Sequence, residues 1–133
     1  MGEFIVCAAS RAVEGGWKVV KTPQGKIDIL AFNDEGIVLR VQVKTSTLKT
    51  DRAHHRPFYH VQNGSGCKNK KLPCVKDMDI VAHCFLDDRR VAFYATEQVR
   101  QFSQRRPMHY ASAPGFEQDT WDKALQIVQE RMK

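Results

Sequence analysis

The chain has 133 residues, 42% hydrophobic and 27% charged, and its 21 Lys and Arg against 15 Asp and Glu give a net charge of +6. That size and balance suit a single domain, 1–133, with one ordinary core, and they exclude histone-like tails, collagenous repeats and multidomain architectures. The charge is concentrated: between Thr45 and Lys76 stand seven basic residues, Lys49, Arg52, Arg56, Lys68, Lys70, Lys71 and Lys76, and one acid, Asp51.

A basic block of this kind calls for a polyanionic partner. Nucleic acid comes first, because neutralised phosphates release counterions and supply affinity without sequence readout. A membrane surface fits less well, since Pro57, Gly64, Gly66 and Pro73 interrupt any amphipathic stripe. A membrane span needs roughly 20 consecutive apolar residues, and the run from Phe4 to Ala9 is far shorter. That run also lacks the basic start and long apolar core of a signal peptide. The expected location is intracellular, with Cys7, Cys67, Cys74 and Cys84 as reduced thiols and no membrane partner.

From Gly2 to Glu14, apolar Phe4, Ile5, Ala8, Ala9, Ala12 and Val13 recur at helical spacing before Gly15-Gly16, which predicts a helix with Glu3, Cys7, Ser10 and Glu14 on its other side. Trp17 to Val20 predicts a short strand ending at Thr22-Pro23-Gln24-Gly25. Ile27–Phe32 and Ile37–Thr45, separated by Asn33-Asp34-Glu35-Gly36, predict a β-hairpin. Its second strand alternates Leu39, Val41 and Val43 with Arg40, Gln42 and Lys44. The basic block follows as a variable loop or DNA-contacting insertion over about 45–76. Asp79–Leu86 and Val91–Ala95 predict two more strands joined by Asp87-Asp88-Arg89-Arg90, then a short helix from Glu97 to about Gln104. The chain closes with a helix from Thr120 to Met132, capped by Asp119, with Trp121, Leu125, Val128 and Met132 as its stripe. The order of elements is an α+β pattern around a central mixed sheet.

Centring the hairpin on Glu35 places Asp28 opposite Gln42 and beside Lys44 on one sheet face. Burying an unpaired carboxylate or ammonium is costly, so this cluster needs a purpose. Oxygen ligands suit Mg²⁺, which takes one or two carboxylates and substrate phosphate. A lysine beside it can orient water and stabilise charge developing on a phosphodiester.

The run Ile27-Asp28-Ile29-Leu30 with Val41-Gln42-Val43-Lys44-Thr45 resembles the PD-(D/E)XK nuclease superfamily, whose motif is an aspartate on one strand and acid-x-lysine on the next. Gly2-Glu3-Phe4-Ile5-Val6 opening a small-residue helix, a Gly-Gly-Trp-x-Val strand entry and Gln42-x-Lys44 resemble the branch found in group I intron homing endonucleases and Holliday junction resolvases. The similarity covers about residues 2 to 46, and 79 to 95 weakly. It implies a restriction-endonuclease-like core that cleaves DNA with Mg²⁺, Mn²⁺ being a substitute. By position, Glu3, Asp28 and Gln42 match the metal ligands and Lys44 the catalytic lysine. Ile27 replaces the motif's proline, and Gln42 replaces an acid, so the metal site loses one negative charge while keeping a carbonyl oxygen.

The expected activity is therefore hydrolysis of DNA phosphodiesters by in-line attack of water, with Asp28, Gln42, Lys44 and Glu3 as the catalytic set. Lys49, Arg52, Arg56, Lys68, Lys70 and Lys71 are the expected DNA contacts, with Arg100, Arg105 and Arg106 as a second basic cluster. A homodimer or higher homo-oligomer is expected for double-strand cleavage. The alternative is a non-catalytic DNA-binding module in which Gln42 marks a degenerate metal site. Lesser candidates are a zinc site from Cys67, Cys74, His60, His83 and Cys84, whose spacing departs from the usual pairs, the adjacent His54-His55 as a base or phosphate contact, and Phe58 and Tyr59 as base-stacking rings.

Overall fold

The structure is a computed structural model that describes residues 2–22, 26–53, 55–64 and 71–133. Its elements in order are helix α1 (Gly2–Ala12), strands β1 (Lys18–Lys21), β2 (Ile29–Phe32), β3 (Val38–Ser46), β4 (Leu48–Thr50), β5 (Pro57–Gln62), β6 (Ile80–Phe85) and β7 (Arg90–Ala95), a 3₁₀ turn (Thr96–Gln98), strand β8 (Ser103–Pro107) and helix α2 (Phe116–Arg131). The strands form a five-stranded sheet in the order β1-β2-β3-β6-β7 and a three-stranded sheet in the order β4-β5-β8. In the larger sheet only β3 and β6 run parallel, so the sheet is mixed, as the order of elements predicts.

The β2–β3 hairpin has the expected register, with Ile29 facing Val41 and Leu30 facing Arg40. Local turn chemistry sets it. Asn33 Oδ1 accepts from the amides of Glu35 and Ile37, both at 3.1 Å, and Gly36 supplies the positive φ of 84° that closes the turn.

Alternation then sorts the side chains. Leu39 and Val41 of β3 join Ile29, Ala31, Ile80, Ala82, Cys84, Val91, Phe93 and Ala95 in the core beneath the helices, with Ile5, Val6, Trp121, Ala124 and Val128 packed onto them. Trp121 meets Trp17 and Phe93 edge-on, at 5.0 and 4.9 Å between ring centroids. On the opposite face Phe85 and Ala92 pack against Tyr59 and Val61 of β5 and against Ala111, so the small sheet covers part of the large one.

Four expectations are corrected. The segment from Thr45 to Lys76 is not simply a loop: it contributes β4 and β5, and Tyr59 and Val61 are fully buried. The predicted helix over Glu97–Gln104 is replaced by the 3₁₀ turn and β8, because β5 needs an edge partner and finds it in Ser103–Pro107. Pro107, which has no amide hydrogen to donate, sits at that strand's end. Helix α2 starts at Phe116 behind Gly115, whose φ is 78°; Asp119 falls in the first turn instead of capping it. Helix α1 ends at Ala12 and is rotated from the expected face: Cys7 and Ser10 are buried, whereas Phe4 is 67% exposed. Small Cys7 and Ser10 fit where the helix crosses the sheet, and exposed Ala8 and Ala12 lose little by facing water.

Candidate functional site

β2 stops pairing at Ile29, and Asp28 continues the ladder with a mixture of backbone and side chain. Its amide donates to Val41 O at 2.9 Å, and its Oδ2 accepts the Val43 amide at 2.8 Å. The carboxylate is thereby fixed at the strand end beside Gln42, with Oδ1 making no hydrogen bond among the described residues. Gln42 is 9% exposed, and its amide group likewise has no hydrogen-bond partner among the described residues. An amide on a largely buried residue and a carboxylate oxygen left open on facing positions form an oxygen-donor pair of the kind a hard cation takes.

Lys44 lies two residues along β3 on the same face and is half-buried. Burial pulls its ammonium below the ordinary lysine range, and the Asp28 charge offsets part of that effect. Lys44 makes no ion pair among the described residues. Its register partner across the parallel strand is His83. His83 is 1% exposed, and burial, with the charges of Arg106 and Lys44, pushes its imidazole down to about 3, so it is neutral at physiological pH.

Glu3 stands at the start of α1, which packs on the sheet face opposite Gln42 and Lys44. Gly2 packs directly on Thr45, the residue after Lys44, so closely that a Cβ at position 2 would collide with the threonine hydroxyl. Burial pushes the Cys84 thiol up to about 11, and the charges of Glu117 and Glu3 also raise it. Cys84 is the register partner of Thr45. The opening of α1 therefore stands beside the Thr45–Cys84 pair, and Glu3 has no hydrogen bond or ion pair among the described residues.

The sheet thus brings Asp28, Gln42 and Lys44 together at one strand end, with the start of α1 against the other face. Among the described residues no three His, Cys, Asp or Glu side chains group together where they could hold a metal ion. This also bears on the zinc candidate. Cys84 is buried in the helix-side core, Cys74 is exposed, His83 points to the face opposite Cys84, and Cys67 lies outside the described residues.

Of the expected DNA contacts, Lys49 is exposed on β4, Arg52 and Arg56 are exposed beside the β4–β5 connection, and Lys71 is exposed after it; Lys68 and Lys70 lie outside the described residues. Arg105 stacks on Phe58, 4.1 Å from the ring centroid, and approaches Asp51 at 3.8 Å. Arg106 lies over Tyr110 at 4.8 Å, and Arg100 is exposed. Tyr59 is not a stacking platform: it is fully buried and donates to Asp88 Oδ2 at 2.8 Å. His55 is exposed with a positive φ of 52°, and His54 lies outside the described residues.

Two buried polar residues escaped the sequence reading. Asp79 collects the Arg40 guanidinium at 3.1 Å and that of Arg131 at 2.9 Å, tying β3 to the end of α2. Asn63 Oδ1 accepts from His83 Nε2 at 2.7 Å. No local signal marks either, since both contacts span long sequence separations; an isolated polar residue in an apolar run, as His83 is, was the available hint.

No family model and no curated protein sequence matches this chain. Among solved structures, the chain is similar to the bacterial homing endonuclease I-Ssp6803I, with a TM-score of 0.64 over 99% of this chain and 95% of that one, at 19% identity. The α+β fold, with its N-terminal helix, mixed sheet and C-terminal helix, is shared along nearly the whole length of both chains.

Proposed function

We propose that this protein is a divalent-metal-dependent DNA endonuclease that hydrolyses phosphodiester bonds. The observation that supports this most is the strand end where the open Asp28 oxygen, the unpartnered Gln42 amide and the unpaired Lys44 ammonium stand on consecutive same-face positions. The shared fold with a bacterial homing endonuclease agrees with it.

The donor set fits Mg²⁺: a carboxylate and an amide oxygen, with Glu3 as the second acid, are hard ligands that leave room for water and phosphate. When bound, the cation supplies charge neutralisation at the phosphate and a more acidic water. The chain's own residues do the rest. Asp28 is oriented by the Val43 amide, so one oxygen is held toward the site. Gln42 adds an oxygen without adding charge. Lys44, half-desolvated, donates to the phosphate as negative charge develops there, where a donor fixed in a partly dry site is worth more than one in water. Lys49, Arg52, Arg56 and Lys71, with Lys68 and Lys70, grip the DNA backbone, and a homo-oligomer supplies a second site for the opposite strand.

The test is cleavage of a panel of linear duplex, nicked, four-way-junction and single-stranded DNA with Mg²⁺, Mn²⁺ or chelator. Metal-dependent cutting is expected, and the preferred substrate separates a homing-type from a junction-resolving role. Tight DNA binding with no cutting under either metal would replace this reading with a non-catalytic DNA-binding module.

A further inference from the structure

His83 is a fully buried polar side chain between Val81 and Phe85, which face the same side of β6. Its tautomer is set by Asn63, itself 0% exposed. Asn63 Nδ2 donates to Gln101 O at 3.0 Å and lies 3.4 Å from Gln104 Oε1, which leaves Oδ1 as the atom 2.7 Å from His83 Nε2. Nε2 must then carry the proton, and Nδ1 presents a lone pair. Nδ1 is buried and has no hydrogen-bond partner among the described residues. A buried acceptor without a donor is costly, so its persistence needs a reason.

A candidate donor stands on the neighbouring strand. Lys44 is its register partner on the same face, makes no hydrogen bond among the described residues, and is close enough for its charge to act on the imidazole. Arg106 Nε is a buried donor without a partner among the described residues, and its charge acts on the imidazole ahead of that of Lys44. The ammonium has three hydrogens on a flexible stem, whereas the Arg106 guanidinium is committed to the Tyr110 ring.

We propose that His83 is a positioning residue for Lys44, its Nδ1 lone pair the acceptor that holds the Lys44 ammonium at the site, directly or through one water. The role rests on the nuclease reading, and the contact itself does not. In this arrangement one ammonium hydrogen is spent on His83, and the remaining two point toward Asp28 and the phosphate.

The contact is tested by ¹⁵N NMR of the histidine-labelled protein. Lys44→Met is expected to move the His83 Nδ1 resonance toward that of an unbonded lone pair and to leave Nε2 in place. An Nδ1 resonance that does not move, or that moves only with Arg106→Gln, overturns the inference. The role is tested by two variants. His83→Gln keeps a donor for Asn63 but no acceptor at the Nδ1 position, and is expected to lose about 10- to 100-fold in kcat with KM unchanged, the usual range for a supporting partner. His83→Asn places Oδ1 where Nδ1 stood while losing the Asn63 bond; it is expected to be the less stable and the more active of the two. Activity that follows thermal stability across the pair overturns the positioning role. A wild-type chain that cuts no DNA overturns the nuclease reading and this role together, whereas an unmoved Nδ1 overturns the contact and the role and leaves the nuclease reading standing.

Discussion

Asp28 accepts the Val43 amide at 2.8 Å, so a side chain supplies the ladder rung that the backbone of β2 would otherwise make. The same bond that ends the strand pairing fixes the carboxylate, and the register that puts Asp28 opposite Gln42 leaves Lys44 just beyond the end of β2. Structure and candidate chemistry are thus carried by different oxygens of one residue, and substitution can separate them.

Asp28→Asn keeps an oxygen for the Val43 amide and removes the charge. Thermal or denaturant unfolding is expected to show a change within about 1 kcal/mol, the net worth of one such hydrogen bond. Metal-dependent cleavage is expected to be lost. An Asp28→Asn protein that folds and cuts at the wild-type rate would remove Asp28 from the site.

Lys44→Met preserves the aliphatic stem and deletes an ammonium whose burial outweighs the help of Asp28. Because the charged form is disfavoured in the folded state, unfolding measurements are expected to show unchanged or slightly raised stability. Single-turnover cleavage is expected to fall by about 100-fold or more, the scale of losing one preorganised donor to a developing oxyanion. Equal cleavage by the variant would assign the phosphate contact to another cation.

The legible part of this site was the part with a local cause. Asn33 and Gly36 close the hairpin within five residues, so the pairing of Asp28 with Gln42 follows from the turn alone. Lys44 beside His83 was not legible, because a parallel pair depends on a crossover that the sequence between them does not encode as a pattern. The small sheet was hidden for a related reason. Phe58 meets Pro107 and Gln62 meets Ser103 across more than forty residues, and Gln104-Arg105-Arg106, read locally, carries good helix formers. The edge of β5 overrides that propensity. The α1 face was misjudged because hydrophobicity ranks Ala8 above Ser10, while packing on a sheet selects for size and position.

Removing Lys49 or Arg56, both exposed on the β4–β5 unit, is expected to weaken binding to unrelated DNA sequences by similar factors. If each contacts one phosphate, the slope of log affinity against log salt falls by about 0.9 per residue. Fluorescence binding titrations from low to high salt measure it. A slope unchanged in the double variant would place the DNA elsewhere on the surface.

Asp79 joins Arg40 and Arg131, with Glu97 bonded to the same Arg131 at 2.9 Å. Burial alone would raise the Asp79 carboxyl, but hydrogen bonds from the Arg40 side chain and backbone, with Arg131, bring it below the ordinary value of 3.8. A depressed folded value contributes stability that is present above the unfolded value and lost as pH falls through the folded one. Asp79→Asn is expected to cost about 2 kcal/mol, at the low side for a buried pair because both arginines keep solvent contact. Urea unfolding at pH 7 and pH 3 should show the difference between variant and wild type shrinking at the acid end.

His83 predicts a second acid sensitivity over a different window. Its folded value of about 3 stands below the unfolded 6.5, so between these limits the unfolded chain binds the extra proton. Stability must then fall as pH drops from 6.5 toward 3, with a limiting slope of about 1.4 kcal/mol per pH unit from this residue. Replacing His83 by Gln, which cannot titrate, should therefore flatten the wild-type stability profile between pH 6 and pH 4. A wild-type profile flat across that window would mean that the imidazole finds a way to charge in place, against its burial.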